Sequence, residues 1–128
     1  MTKANATRDK RCVFCDAVTG QKPSPLTLHC GDRCFVILNK YPYSNGHLMV
    51  VPRRHIGRLL EAVPDELTEL MALTRTAEMA LSEAYAPDGL NIGINLGRPA
   101  GAGIVGHLHI HVVPRWDGDT NFMTVTAD

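Results

Sequence analysis

His107-Leu108-His109-Ile110-His111-Val112-Val113-Pro114 decides how this chain reads. A β-strand turns successive side chains to opposite faces. The alternation therefore predicts a strand over 107–114, with Leu108, Ile110 and Val112 entering a core and three imidazoles lining the other face. Rings two residues apart on a strand have backbones roughly 6–7 Å apart, so they can converge on one small polyanion or one metal ion. A single histidine near a core is ordinarily a packed, hydrogen-bonded side chain. Three in strict alternation are poorly explained by packing, because neutral rings need partners and charged ones repel.

The stretch feeding this strand is Gly97-Arg98-Pro99-Ala100-Gly101-Ala102-Gly103-Ile104-Val105-Gly106. Its glycines let backbone N–H groups approach an anion without side-chain obstruction. Alone, such a loop is more often a flexible hairpin. Placed directly before three histidines, it reads as the other half of a phosphate site, with Gly101 and Gly103 as candidate donors. An imidazole there could attack phosphorus while its neighbours and the loop stabilise charge on the oxygens. A catalytic zinc held by the three histidines is the competing use. The phosphate-cradling character of the loop, with no carboxylate ligands in it, weighs against that design.

Working outward, Leu90–Leu96 alternates as a strand with Asn91, Gly93 and Asn95 on one side. Behind Pro64, Asp65–Tyr85 is predicted helical, with Leu67, Leu70, Met71, Leu73, Ala77, Met79, Ala80 and Leu81 forming one broad buried stripe. Cys34–Leu38 and His47–Pro52 read as antiparallel neighbours joined by a turn-rich loop, and Ile56–Leu60 as a helical turn. The Gly- and Pro-bearing stretch through Gly20, Pro23 and Pro25 reads as loop, and residues 1–10 as a loose terminus. The order β-β-α-β-β implies an α+β fold, an antiparallel sheet with a helix against one face.

At 128 residues the chain is expected to form one domain, 1–128. Its net charge of zero gives no global field toward nucleic acid or membrane, and no apolar run is long enough to span a bilayer. Met1–Asn5 carries no signal-peptide core, so a cytoplasmic location with reduced cysteines is expected. Cys12-x-x-Cys15 has the knuckle spacing of a structural zinc site. Its partners could be Cys30 and Cys34, or His55 and one histidine of the triad; two buried thiols are the plainer reading. Asn39 and Asn95 read as turn residues unless their strands flank the triad, in which case their amides could bind ribose or phosphate. His47, as a lone histidine, reads as structural. Trp116 could line a pocket or a dimer contact.

These residues resemble the histidine triad (HIT) family of nucleotide hydrolases and transferases. Its motif, His-φ-His-φ-His-φ-φ with φ apolar, matches His107 to Val113 at every position. Leu38–Tyr43, Gly46–Pro52, Asn95–Gly97, Val113–Trp116 and Gly118–Met123 are similar to the bacterial branch that includes diadenosine tetraphosphate phosphorylases. The resemblance implies a five-stranded antiparallel sheet with one long and one or more short helices, usually a homodimer whose sheets run together. It implies that His109 is the nucleophile carrying a nucleotidyl group and that His111 contacts the phosphate or ribose side. Asn39 matches a ribose-binding position and Asn95 a phosphate-side position. Cys12, Cys15, His55 and His107 match the ligands of the zinc-containing members, leaving Cys30 and Cys34 to pack. The implied partner is a small-molecule nucleotide, with structural zinc and no organic cofactor, nucleic acid or membrane. Gly103 stands near the position where many members place Gln or Ser, so it offers only a backbone N–H to the leaving group. The expected activity is cleavage of nucleoside 5′-phosphate conjugates, such as diadenosine polyphosphates or adenosine phosphoramidates, through a nucleotidyl-histidine. The alternatives are a nucleotide-binding interaction module with little catalysis, or a zinc-dependent hydrolase.

Overall fold

The computed structural model of the chain describes residue 14 and residues 25–39, 46–97 and 106–118. Within them, β1 (Thr27–Cys30), β2 (Cys34–Leu38) and β3 (Leu48–Pro52) are followed by a 3-10 turn (Leu59–Glu61) and the helix α1 (Pro64–Tyr85). The strands β4 (Gly89–Ile94) and β5 (Ile110–Arg115) complete a five-stranded sheet in the order β1-β2-β3-β5-β4. Every neighbouring pair is antiparallel. The last of the described strands, β5, thus lies inside the sheet, between β3 and β4.

Strand parity sorts the side chains into two layers. Cys34, Val36, Leu48, Val50, Leu108, Ile110 and Val112 share one core with Leu70, Leu73, Ala77 and Leu81 of α1. Phe35, Ile37, Met49 and Val51 point the other way and pack with Phe14. The expected division around the histidine run is therefore realised: its aliphatics meet the helix and its rings lie on the opposite face. The strand itself is shorter than predicted. It begins at Ile110, and the Leu108 amide donates instead to the Ile56 carbonyl at 2.6 Å.

Three other expectations are corrected. β1 forms just after the stretch read as loop; its residues Thr-Leu-His-Cys are largely exposed, so no apolar alternation marks them. The third predicted strand ends at Ile94, leaving Asn95 and Leu96 beyond it. In α1, Leu70, Leu73, Ala77 and Leu81 are buried, while Leu67, Met71, Met79 and Ala80 are exposed. At about 100° per residue, the exposed residues fall outside the single narrow seam that the sheet covers.

The helix start is fixed by a buried carboxylate. Glu66, 2% exposed, accepts from the Val63 amide at 2.9 Å and from Arg54 Nε and Nη2 at 2.8 and 2.7 Å. The Arg54 fork holds the Glu66 carboxyl below its ordinary value, and it pins the segment carrying His55 to α1. A second carboxylate, Glu69, accepts from the Arg33 and Cys34 amides at 2.9 and 2.6 Å and ties the β1–β2 turn to the same helix. Trp116 meets Tyr85 at the end of α1, ring centroids 6.4 Å apart.

Entry into β3 depends on Gly46, whose φ is +81°. A Cβ there would lie 2.9 Å from Tyr85 Cε2 and 3.0 Å from Leu81 Cδ2. Gly46→Ala therefore combines left-handed strain with overpacking and is expected to destabilise the fold by about 2–3 kcal/mol. A lowered denaturant midpoint at unchanged m-value is the result to look for.

Candidate active site

Each histidine of the triad commits one ring nitrogen to a specific neighbour. His107 Nε2 lies 2.8 Å from the Pro52 carbonyl. A carbonyl only accepts, so Nε2 carries a proton, and Nδ1 faces His55 Nδ1 at 3.2 Å. His109 Nδ1 donates to the carbonyl of His107 at 2.9 Å. In the neutral ring this leaves Nε2 as a lone pair, with no partner among the described residues. His111 Nδ1 lies 2.8 Å from His47 Nε2, and His47 Nδ1 lies 2.8 Å from Asn39 Nδ2.

The rings stand close together. The centroids of His109 and His111 are 4.7 Å apart, those of His47 and His111 are 5.0 Å apart, and those of His55 and His107 are 4.9 Å apart. Phe14 forms a wall, its ring 5.3 Å from His107 and 5.0 Å from His109. His47, His107, His109 and His111 are all buried. Burial disfavours the charged ring, and neighbouring imidazoles add repulsion. His47 is pushed down to about 4 by burial and by His109. Burial lowers His111 further, to about 3, with His109 and His47 contributing. Burial also lowers His109, opposed by its bond to the His107 carbonyl. His47, His109 and His111 are thus held toward the neutral form, able to present lone pairs and N–H groups at fixed places.

Among the expected site residues, the structure brings together His107, His109, His111, His55 and Asn39. Asn95 directly follows Ile94, whose β5 partner is Ile110, so it borders the triad by register. Cys12, Cys15, Gly101 and Gly103 lie outside the described residues. Among the described residues there is no group of three or more metal-ligating side chains; of the expected zinc ligands, His55 and His107 fall within them. Cys34 packs as expected: burial and the nearby Glu69 and Glu66 push its thiol up to about 12, so it is inert at physiological pH. Cys30, expected to pack, is exposed.

Two residues of the cluster escaped the reading of the sequence. His47 looked structural, yet it links Asn39 to His111. Parity could have found it, because Met49 pairs with His111 and His47 lies two residues away on the same face. Phe14 carried no signal, since nothing local to it indicates a contact with residues more than ninety positions away.

The HIT domain family profile matches residues 20–118. The chain is 47% identical over 95 residues to the AP-4-A phosphorylase of Mycobacterium tuberculosis, covering 74% of this chain and 49% of that protein. It therefore spans about half the length of that relative. It is 32% identical over 115 residues to the adenylylsulfatase HINT3 of Arabidopsis thaliana, covering 90% of this chain and 57% of the other. Among solved structures, a Zn-bound histidine triad family protein from Mycobacterium smegmatis superposes with a TM-score of 0.76 at 34% identity, covering 89% of this chain and 82% of that one.

The depressed histidines link folding to protons. In the folded state His47 and His111 stay neutral far below 6.5, their ordinary value, while the unfolded chain binds those protons. Stability contributed this way is intact above about pH 6.5 and is lost as the pH falls toward 4. Denaturation at stepped pH should show this decline, and His47→Asn should reduce the acid slope by up to about 1.4 kcal/mol per pH unit, the equivalent of one proton.

Proposed function

The chain belongs to the HIT domain family, and from that membership and the site geometry we propose that it cleaves nucleoside 5′-phosphate conjugates by covalent nucleotidyl transfer to His109. The observation that carries this reading is the 2.9 Å bond from His109 Nδ1 to the His107 carbonyl. It holds the proton on Nδ1 and leaves the Nε2 lone pair to attack phosphorus. As the Nε2–P bond forms, the bond from the α-phosphorus to the leaving group breaks and the electron pair departs with that group. The phosphorylated ring gains positive charge, which the carbonyl dipole on Nδ1–H stabilises. Water or inorganic phosphate then attacks the same phosphorus, breaking Nε2–P and releasing a nucleoside mono- or diphosphate. His111 lies beside the reacting ring, where it would meet phosphoryl oxygens. Asn39 would take the ribose, and Asn95 with the Gly101 and Gly103 amides the phosphate. The names of the relatives, a phosphorylase and an adenylylsulfatase, support adenylyl conjugates as substrates.

A structural zinc fits this reading. Two nitrogens on a tetrahedral zinc are about 3.3–3.4 Å apart, given Zn–N distances of about 2.0–2.1 Å. The His55 and His107 Nδ1 atoms are 3.2 Å apart, and the Pro52 carbonyl on His107 Nε2 is the kind of outer partner that orients a ligating ring. Phe14, one residue before Cys15, packs on His107, which supports Cys12 and Cys15 as the remaining ligands. The ion would act as a cross-link between the N-terminal segment and the triad, taking no part in bond cleavage. A cytoplasmic setting would keep both thiolates reduced. The edge position of β4 in the sheet, with Ile92 46% exposed, supports homodimerisation along that strand.

The decisive experiment follows product release from diadenosine tetraphosphate and adenosine phosphoramidate, with and without inorganic phosphate. His109→Ala is expected to lose about a thousandfold or more in turnover, and wild type quenched in alkaline denaturant should carry an acid-labile AMP adduct on His109. Retention of wild-type turnover by His109→Ala would overturn the assignment. For the metal, purified protein should contain one zinc per chain. Cys15→Ser should lose it and melt about 5–10 °C lower, while kcat of the folded fraction stays close to wild type. Loss of rate in a still-folded, metal-depleted protein would instead identify a catalytic ion.

A further inference from the structure

The link from Asn39 through His47 to His111 has a direction, and Asn39 fixes it. Asn39 is held against His47 twice: its backbone N–H donates to the His47 carbonyl at 2.9 Å, and its side-chain Nδ2 lies 2.8 Å from His47 Nδ1. An amide nitrogen donates and never accepts, so His47 Nδ1 must be a lone pair. The single proton of a neutral His47 then sits on Nε2 and is donated to His111 Nδ1, 2.8 Å away. The single proton of His111 is thereby confined to its Nε2.

We propose that Asn39 is a positioning residue that sets the polarity of this relay, so that His111 offers an N–H where His109 offers a lone pair. The two rings, centroids 4.7 Å apart, then complement different parts of one group. The His109 nitrogen suits electron-poor phosphorus, and the His111 N–H suits the electron-rich phosphoryl oxygens beside it. No proton leaves His111; it acts as a hydrogen-bond donor to developing negative charge. An acceptor at position 39 would reverse every step. His47 would hold its proton on Nδ1, His111 would receive none on Nε2, and two lone pairs would face the phosphate. What His111 meets rests on the nucleotidyl-transfer reading, whereas the direction of the relay rests on the hydrogen bonds alone.

The test separates the two. In ligand-free, 15N-labelled wild-type protein, long-range 1H–15N correlations should show His47 and His111 each as a single tautomer protonated at Nε2. In Asn39→Asp, read in alkaline buffer where neither ring carries a second proton, both should become protonated at Nδ1. Wild-type His111 protonated at Nδ1 overturns the proposal, and so does an unchanged His111 in the variant. If the variant fails to fold, the wild-type spectrum still decides. Affinities for AMP and adenosine, measured by calorimetry, then read the consequence at the phosphate. The ratio of AMP to adenosine affinity should fall about tenfold or more in Asn39→Asp, the loss expected for a hydrogen bond to a charged group. Reversed rings with an unchanged ratio would refute the role of His111 toward phosphate. Absence of AMP binding by wild type would defeat the nucleotide reading and leave the tautomers to judge the relay.

Discussion

The strict alternation of β5 and the residues leading into it is the constraint on which the rest depends. One parity must bury Leu108, Ile110 and Val112 under α1, so the other parity has no choice but to carry the imidazoles to the far face. The helix core therefore does more than stabilise the domain. A slip of one residue would send three rings into an aliphatic core and three aliphatics into the site. Register is held on both sides, by β3 through Met49↔His111 and by β4 through Gly93↔His111. The position of β5 inside the sheet makes this double control possible.

The opposite face shows how a polar cluster can live in a buried layer. Four histidines there are 9% exposed or less, and each has a named partner on one ring nitrogen. Charged, they would repel and lose hydration; neutral, they satisfy one another and the main chain. The site works with dipoles, lone pairs and N–H groups whose places are set before any ligand arrives. Such preorganisation suits a reaction in which charge develops on phosphoryl oxygens.

Much of this was legible in the chain. The triad's facing, the two hydrophobic strands, the long helix and the α+β class all follow from apolar periodicity, which packing enforces over many residues. The five-strand count came from family resemblance, because β1 is a largely exposed strand held by pairing with β2 and by Glu69, neither visible in local pattern. Periodicity marks a wider helix stripe than is buried, since a period of 3.6 tells which residues can face a sheet and not how much of the helix the sheet covers. His47 is hidden in the sequence for a different reason. A lone histidine gains meaning only from its cross-strand neighbour, and that pairing is a tertiary fact. Phe14 is the extreme case, a residue defined wholly by contacts distant in sequence.

His109 and His111 are governed by different kinds of atom. The partner that orients His109 is a peptide oxygen, common to every amino acid, so replacement of a neighbouring side chain does not abolish it. The partners behind His111 are genetically encoded side chains at positions 47 and 39. Evolution could retune the second ring by ordinary point mutation while the first stays insulated from drift. Lineages built on this scaffold would then be free to vary the surroundings of one ring while those of the other stay constant.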